Sequence, residues 1–325
     1  MSNPRILCLG EILFDCLADQ IGPPLQEVES WTPYPGGAPA NVACSLVKLG
    51  VASGFIGALG KDPAGEELMQ VLQTNGVDTT GVQIHPTAPT RQVYVVRSTS
   101  GDRSFAGFGN RKTAEFADAH LKSEKLPISL LETADYLVLG TLELAYPESE
   151  QAIASALQLA QKYDLKILLD VNWRPVFWQD ADAAIPKIKK LLKQVDFLKL
   201  SKEEAEWLFD TKDPGAINYR VDGVEGVLVT DGENGCAYCL SENEGEIPAF
   251  SVPVVDTTGA GDSFVAGFLS QIIFQGIHSL SDPETAKKIV TYASAVGAMT
   301  TLKPGAIASQ PTAAEVEAFL TSNHP

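Results

Sequence analysis

A glycine-rich turn at residues 256–262 carries the residue types that bind and transfer an anionic group. It reads Asp256-Thr-Thr-Gly-Ala-Gly-Asp262. The small residues Gly259, Ala260 and Gly261 leave the backbone open, so N–H groups at the start of a helix can point at an anion. The helix dipole adds positive potential there, and Asp262 can accept the proton of an attacking hydroxyl. The alternative is an ordinary glycine turn in which Asp262 only caps the helix.

A second group of residues, nearer the N-terminus, is suited to a ligand with several hydroxyls. Gly36 and Gly37 permit a tight turn where the backbone can approach a ligand. Asn41, on the first turn of the following helix, offers both a donor and an acceptor. Asp15 lies just past the first strand, at the edge where open α/β sheets bind ligands. The alternatives are an Asn that caps a helix and an Asp that faces solvent.

The elements that position these residues alternate between strands and helices. The predicted strands are short apolar runs, buried on both faces as in a parallel sheet: Arg5–Gly10, Gly54–Ala58, Tyr136–Gly140, Lys166–Asp170, Asp196–Leu200 and Gly226–Thr230. The predicted helices are Pro39–Leu49, one that starts at Pro63 and ends at Gly76, Tyr146–Tyr163, Ala181–Gln194, Ser201–Phe209, Ala260–Phe274 and Pro283–Thr300. A further β-like stretch, Phe250–Val255, precedes the glycine-rich turn. This order predicts an α/β fold with a doubly wound, mostly parallel sheet flanked by helices.

Two segments interrupt the alternation and predict a small β-sheet lid. Residues of about 11–35 contain no clear helix, and residues of about 90–108 alternate polar and apolar around a predicted hairpin turn at Ser100-Gly101-Asp102. Such a sheet could exclude water from a reacting centre; the alternative is a surface hairpin without a role. No linker divides the chain, so residues 1–325 are expected to form a single domain.

Composition and charge limit the classes of function. The chain has 325 residues, 45% of them hydrophobic, which is enough for one large α/β domain. A formal net charge of -17 argues against nucleic acid and anionic membranes as partners. The five scattered cysteines predict reduced thiols in a cytoplasmic protein. No apolar run reaches the length of a membrane span, and the start lacks the layout of a signal peptide.

Several motifs together resemble one family. The chain has no P-loop, no dinucleotide-binding turn and no protein-kinase signature. The 256–262 segment instead closely resembles the second signature of the PfkB (ribokinase-like) carbohydrate kinases. The segment 36–43 is similar to the sugar-binding turn and helix of that family, 57–65 to the remainder of its first signature, and 10–15 to the end of its first strand. This resemblance implies a ribokinase-like fold and ATP-dependent phosphoryl transfer to a sugar hydroxyl.

The resemblance also implies roles for individual residues. Asp262 would be the general base, and the backbone amides from Gly259 to Asp262 the anion hole. The implied sugar contacts are Asp15, Gly36, Gly37, Asn41, Asn110 and Arg174. The implied ATP contacts are Asn172, Ser201, Thr230, Gly232, Gly235, Gly259, Gly261 and Ser294. Glu204 would hold Mg²⁺ through water, and a monovalent cation such as K⁺ would lie near Asp256, Thr258, Gly305 and Ser309.

The acceptor and the oligomeric state follow from narrower features. The glycine turn at 36–43, combined with Asp170-Val-Asn172-Trp-Arg174, is most similar to the fructokinases, which implies D-fructose as acceptor. A 2-keto-3-deoxygluconate kinase and a ribokinase are the alternatives within the family. A non-catalytic sugar or nucleotide sensor is the alternative of another class. The half-exposed lid sheet has one face to cover, which predicts a homodimer that pairs through the lid.

Overall fold

The computed structural model describes residues 3–22, 25–97 and 103–323. The strands are β1 Ile6–Leu9, β2 Leu13–Ile21, β3 Trp31–Gly36, β4 Ser53–Gly60, β5 Asp78–His85, β6 Gln92–Arg97, β7 Arg103–Gly107, β8 Tyr136–Leu139, β9 Lys166–Asp170, β10 Phe197–Ser201, β11 Gly226–Thr230, β12 Cys236–Leu240 and β13 Asn243–Ile247. The α-helices are α1 Ala38–Lys48, α2 Pro63–Thr74, α3 Ile128–Leu131, α4 Pro147–Tyr163, α5 Ala184–Leu191, α6 Lys202–Phe209, α7 Pro214–Arg220, α8 Ala260–Gln275, α9 Pro283–Thr300 and α10 Ala313–Ser322.

Nine of the described strands form one large sheet in the order β13-β12-β11-β10-β9-β8-β1-β4-β5. The neighbours from β11 to β5 pair in parallel, and β12 and β13 add an antiparallel edge. The central strands β1, β4 and β8 are buried along their whole length, as expected for a parallel sheet with both faces covered. The predicted doubly wound, mostly parallel sheet is therefore confirmed.

Helices cover both faces of this sheet and enclose two apolar cores. One core contains buried residues of α1, α8 and α9, and the other contains residues of α4 and α5. Helix α8 is apolar on nearly every side, with Val265, Phe268 and Leu269 fully buried, because it lies between the sheet and its neighbours. Among the described residues, no helix is both long and apolar enough to cross a bilayer.

Local sequence signals fix several helix starts. Asp62 caps α2 by accepting the Gly65 N–H at 2.8 Å, with Pro63 at the first helical position. Ser201 and Glu204 form a reciprocal capping box at the start of α6. Both starts follow the carboxyl ends of strands of the large sheet, β4 and β10.

Four of the described strands form a separate small sheet, in the order β3-β2-β6-β7. Strands β2 and β6 pair in parallel, while β3 and β7 flank them antiparallel. This confirms the small sheet expected from residues 11–35 and 90–108. The expected turn at Ser100-Gly101-Asp102 lies outside the described residues.

A buried ion pair lies at the base of the small sheet, between Arg91 and Asp118 of the 3₁₀ turn Ala117–His120. Arg91, directly before β6, lies fully buried with its guanidinium 2.5 and 2.7 Å from the two oxygens of Asp118. Four aromatic rings surround the guanidinium at 4.6 to 5.6 Å; they belong to Phe108, Phe116, Tyr146 and Phe177. Such cation–π contacts hold the start of β6, at the base of the small sheet, against the rest of the protein.

Two expectations from the sequence differ from the structure, and several elements of the structure were not expected. Residues 250–255, expected as a strand, are irregular; the N–H groups of Val255 and Asp256 both donate to Thr301 O instead of pairing with a strand. The helix expected over Ala181–Gln194 is regular only in α5, with short 3₁₀ turns on either side. The elements β5, β13, α3, α7 and α10 were not predicted.

Candidate active site

The glycine-rich turn places Asp262 in the first turn of α8, as its sequence predicts. Gly259 precedes the helix with φ 79°, a left-handed conformation that favours glycine, and a Cβ there would lie 2.7 Å from the Ala306 Cβ. Within the turn, Ala260 N–H donates to Thr257 O at 3.2 Å. The first N–H groups of a helix lack partners within it. The amides of Gly261 and Asp262 therefore supply donors at the open end of α8.

This helix start borders a cavity of about 790 Å³ at the carboxyl ends of the parallel strands. Residues after β1, β8 and β9 line one side, and the segment 254–262 lines the other. The polar and charged side chains that line the cavity are Glu11, Asp15, Asn41, Thr141, Asn172, Arg174, Lys199, Asp256, Thr257, Thr258 and Asp262. The cavity thus brings together the two groups of residues that the sequence singled out separately.

The closest link between these two groups is a hydrogen bond between Asn41 and Asp262. Asn41 Nδ2 donates to Asp262 Oδ2 at 2.8 Å, although the residues are 221 positions apart. The Asn41 Oδ1 atom is buried without a partner among the described residues, so an acceptor remains for a ligand hydroxyl. Asp262 is therefore oriented by the helix that carries the expected sugar-binding residue.

The environment of Asp262 suits a general base near neutral pH. Burial raises the pKa of Asp262 from its ordinary 3.8 to about 6, and the charge of Asp170 contributes in the same direction. The Asn41 hydrogen bond and the charges of Lys199 and Arg174 lower it. A carboxylate with a pKa near 6 accepts a proton more readily than an ordinary Asp and is still ionised at pH 7.

The loop after β9 is held in an uncommon conformation. Asn172 has φ 36°, which is rare outside glycine. The next residue, Trp173, donates its N–H to Glu204 Oε1 at 2.7 Å and stacks its ring on Trp207 at 3.9 Å. The other oxygen of Glu204 accepts the Ser201 N–H. Glu204 thus fixes the backbone between two cavity-lining residues, Asn172 and Arg174.

The residues expected to surround a monovalent cation also lie together. Asp256 Oδ1 accepts from Thr258 N at 3.0 Å and from Thr258 Oγ1 at 2.7 Å, while Asp256 Oδ2 accepts from Gly305 N at 2.9 Å. Ser309 Oγ donates to Gly305 O. A smaller cavity of about 320 Å³ borders Asp256, Thr258 and Gly305, next to Asp15.

Two buried glutamates lie beside the glycine turn at residues 36–37, and the sequence analysis assigned neither a role. Glu11 Oε1 accepts the Ala38 N–H at 2.8 Å, at the start of α1. Burial raises the pKa of Glu11 to about 7. Burial and the nearby charge of Glu11 also raise the pKa of Glu143, whose two oxygens have no hydrogen-bond partner among the described residues. Both causes favour the neutral form of the Glu143 carboxyl group.

The remaining predicted residues lie at varying distances from the cavity. Gly37 lines it with φ 106°, and a Cβ on Gly36 would lie 2.8 Å from Asp15 Oδ2. Asn110 is exposed beyond β7 and is not among the described residues that line the cavity. Thr230 is the last residue of β11, and Gly232 and Gly235 lie in the turn that links this strand to β12. Ser294 lies on α9 with its hydroxyl buried and without a partner in the described ranges.

Comparison with known proteins identifies the family. The profile described as pfkB family carbohydrate kinase matches residues 3–313. The chain belongs to this family. The kinase is 35% identical to a protein named probable fructokinase-5 of Arabidopsis thaliana, over 99% of this chain and 98% of that one.

Solved structures show the same fold. The fructokinase of Xylella fastidiosa with bound ATP is 30% identical and superimposes with a TM-score of 0.88, over 98% of both chains. A double mutant of the fructokinase of Vibrio cholerae O395, with fructose, ADP and potassium bound, is 26% identical, with a TM-score of 0.82 over 98% of this chain and 99% of that one. The ribokinase-like fold implied by the sequence is therefore confirmed.

Sequence reasoning gave no role to Lys199, which lines the cavity from β10. It lies within the apolar run Phe197–Leu200, and a strand that is buried on both faces should exclude an unpaired lysine. A charged residue in such a run was the signal that could have been used. The structure gives its ion-pair partner, Asp170, on the neighbouring strand.

Proposed function

We propose that this kinase transfers the γ-phosphoryl group of ATP to a hydroxyl of D-fructose, giving D-fructose 6-phosphate and ADP. The observation that carries the proposal is the Asn41–Asp262 hydrogen bond inside the cavity, because it joins the expected sugar-binding helix to the base at the start of α8. The family assignment supports a sugar acceptor. The relatives named fructokinase support fructose.

In this proposal Asp262 accepts the proton of the attacking hydroxyl. The amides of the 259–262 segment, chiefly those of Gly261 and Asp262, stabilise the charge on the transferring phosphoryl group. Asp15, Gly36, Gly37, Asn41 and Arg174 orient the sugar, with Asn110 as the most peripheral contact. Positioning and electrostatic stabilisation supply most of the rate in phosphoryl transfer, so these fixed groups account for the chemistry.

The nucleotide occupies the α8 side of the cavity in the same proposal. The glycines 232, 235, 259 and 261 lack side chains where a phosphate chain would approach the backbone, and the partnerless Ser294 hydroxyl suits a polar nucleotide atom. Asn172, Ser201 and Thr230 complete this side. A Mg²⁺ ion, held through water near Glu204, would neutralise phosphate charge in a protein of net charge -17.

Further parts of the proposal concern the small sheet, the oligomeric state, a monovalent cation and the cellular compartment. The chain acts as one kinase domain, 1–325, in which the four-stranded sheet is the lid that excludes water. Two copies pair lid against lid as a homodimer, which light scattering would test.

A monovalent cation such as K⁺ is held by Asp256, Thr258, Gly305 and Ser309. The five cysteines, all within the described ranges, are free and buried, which supports a cytoplasmic setting.

The cavity's charge favours a neutral sugar over an acid. Glu11, Asp15, Asp256 and Asp262 all line it, so a substrate carboxylate would meet four acidic side chains. This observation favours fructose over 2-keto-3-deoxygluconate. It does not separate fructose from ribose, which is also neutral.

ADP release with MgATP and a panel of sugars tests the proposal. We expect the highest kcat/KM with D-fructose, a lower value with ribose and the lowest with 2-keto-3-deoxygluconate. Release of ADP without any sugar preference would contradict the assignment of the acceptor. Sugar binding without any phosphorylation would indicate the non-catalytic sensor instead.

A further inference from the structure

Lys199 is a buried lysine that nonetheless lines the active-site cavity. Its side chain is only 8% exposed, and its neighbours Leu198 and Leu200 are fully buried. A lysine rarely occupies such a position unless it is paired, because removal of its charge from water is costly. The position therefore calls for an explanation beyond the packing of β10.

Asp170 compensates the charge of Lys199. The Lys199 Nζ atom lies 3.1 Å from both Asp170 Oδ1 and Asp170 Oδ2. Burial alone would lower the pKa of Lys199, but the charges of Asp170, Glu204 and Asp262 together outweigh burial and the net pKa is raised. The group is thus an ammonium ion. It has three N–H donors, of which Asp170 engages two, so one remains for a group in the cavity.

The ammonium lies against the first turn of α8. A Cβ built on Gly261 would be 3.0 Å from the Lys199 Nζ atom. Gly261 is helical and does not have the positive φ of Gly259, so its backbone conformation does not require glycine. The absence of a side chain at Gly261 instead leaves room for the ammonium beside the open amides.

The charged side chains that line the cavity indicate a role for the Lys199 ammonium group. Among the described residues, the cations that line the cavity are Arg174 and Lys199, against four carboxylates. Arg174 is exposed, and its guanidinium donates to its neighbour, Trp173 O, at 3.2 Å. Lys199 is the buried one of the two. Electrostatic stabilisation is strongest for a fixed charge that is shielded from water.

We propose that Lys199 is a catalytic residue whose ammonium donates a hydrogen bond to the transferring phosphoryl group, next to the amides of α8. This rests on the proposed function. In the step, the bond from the γ-phosphorus to the ADP oxygen breaks and a bond to the sugar oxygen forms. The hydroxyl proton goes to Asp262. Lys199 keeps its protons throughout, and Asp170 acts as a positioning residue that holds it.

A charge-neutral double variant, Lys199→Met with Asp170→Asn, tests the proposal. It removes both charges together, so neither partner is left buried and unpaired. We expect kcat to fall at least 100-fold, with KM for the sugar and Kd for ADP changed less than threefold. The control is Lys166→Met with Asp196→Asn, a partly exposed ion pair of 2.8 Å at the start of β9, where Lys166 also contacts Glu225 at 2.6 Å. This is the end of the strand opposite Asp170. We expect the control to retain its kcat within a factor of two.

Lys199→Arg keeps the charge and the pairing with Asp170, so it tests the proposal even if the double variant does not fold. We expect at least a tenfold lower kcat, because the larger guanidinium cannot occupy the space beside Gly261. The proposed role of Lys199 would be overturned if kcat stayed within threefold of wild type in the folded double variant or in Lys199→Arg. If the wild-type protein itself phosphorylates no sugar, the proposed function fails instead.

Discussion

Replacement of Asp262 by Asn should inactivate the kinase and stabilise its fold at the same time. Asn has nearly the same shape as Asp, and its side-chain oxygen can still accept the hydrogen bond from Asn41 Nδ2. It cannot take a proton from the sugar hydroxyl. Loss of a general base typically lowers the rate by 10²- to 10⁴-fold. We therefore expect kcat to fall by about that factor while ADP binding stays near the wild-type value.

The gain in stability comes from the raised pKa of Asp262. Burial and Asp170 raise it from 3.8 to about 6, so ionisation of Asp262 at neutral pH opposes folding. The folded state binds a proton more tightly than the unfolded state, and the penalty is therefore complete above pH 6 and absent below about pH 4. The increase in the pKa of Asp262 from 3.8 to about 6 corresponds to about 3 kcal/mol in the free energy of unfolding. For a chain of this length, that raises Tm by roughly 4 °C.

Thermal unfolding of wild type and Asp262→Asn, measured from pH 5 to pH 8 without substrates, checks this reasoning. The difference in Tm should be largest at pH 8 and should shrink as the pH falls through 6. Asp164→Asn, at an exposed position after α4, controls for the loss of one negative charge. A difference in Tm that is equal at pH 5 and pH 8, or of opposite sign, would refute the account of Asp262.

Three other substitutions have defined outcomes. Asn41→Leu removes a hydrogen bond that lowers the pKa of Asp262, so the acid limb of the kcat–pH profile, near pH 6 in wild type, should move to higher pH; an unmoved limb would contradict this. Arg91→Met leaves Asp118 buried and unpaired, and urea unfolding should show a loss of about 3–5 kcal/mol. Gly259→Ala forces a residue with a side chain to φ 79° against Ala306, which should cost about 1–3 kcal/mol and raise KM for ATP, as steady-state kinetics would measure.

The large sheet could be predicted because local signals and tertiary structure agree there. Runs such as Gly54–Ala58 are short and apolar, and the helix that follows has a recognisable start at Asp62 and Pro63. Strand β5 was missed because Asp78–His85 mixes polar and apolar residues in a half-exposed strand. Residues 250–255 were wrongly predicted to form a strand, for the opposite reason. Their apolar character reflects burial at Phe250 and cavity contacts at Val254 and Val255, without a neighbouring strand.

The candidate site was predictable where glycines and polar residues cluster in sequence, and unpredictable where it depends on contacts between distant residues. The turn at 256–262 and Asn41 could each be found alone, but no sequence pattern states that Asn41 donates to Asp262. Lys199 and Glu143 were missed because each lies in or next to a buried strand. The role that we propose for Lys199 depends on Asp170, which lies on the neighbouring strand β9.

The buried guanidinium of Arg91 limits how the active site can open. It lies one residue before β6, and its backbone O accepts the Phe14 N–H of β2 at 3.1 Å. Withdrawal of this side chain would expose a charge pair and four aromatic rings, so the base of the small sheet must stay in place while substrates enter. Any opening motion therefore has to be a bend within β2 and β6 beyond this point. Between Leu17 and Ile21 the register of β2 against β6 shifts, so the pairing of the two strands is irregular in that part of the small sheet.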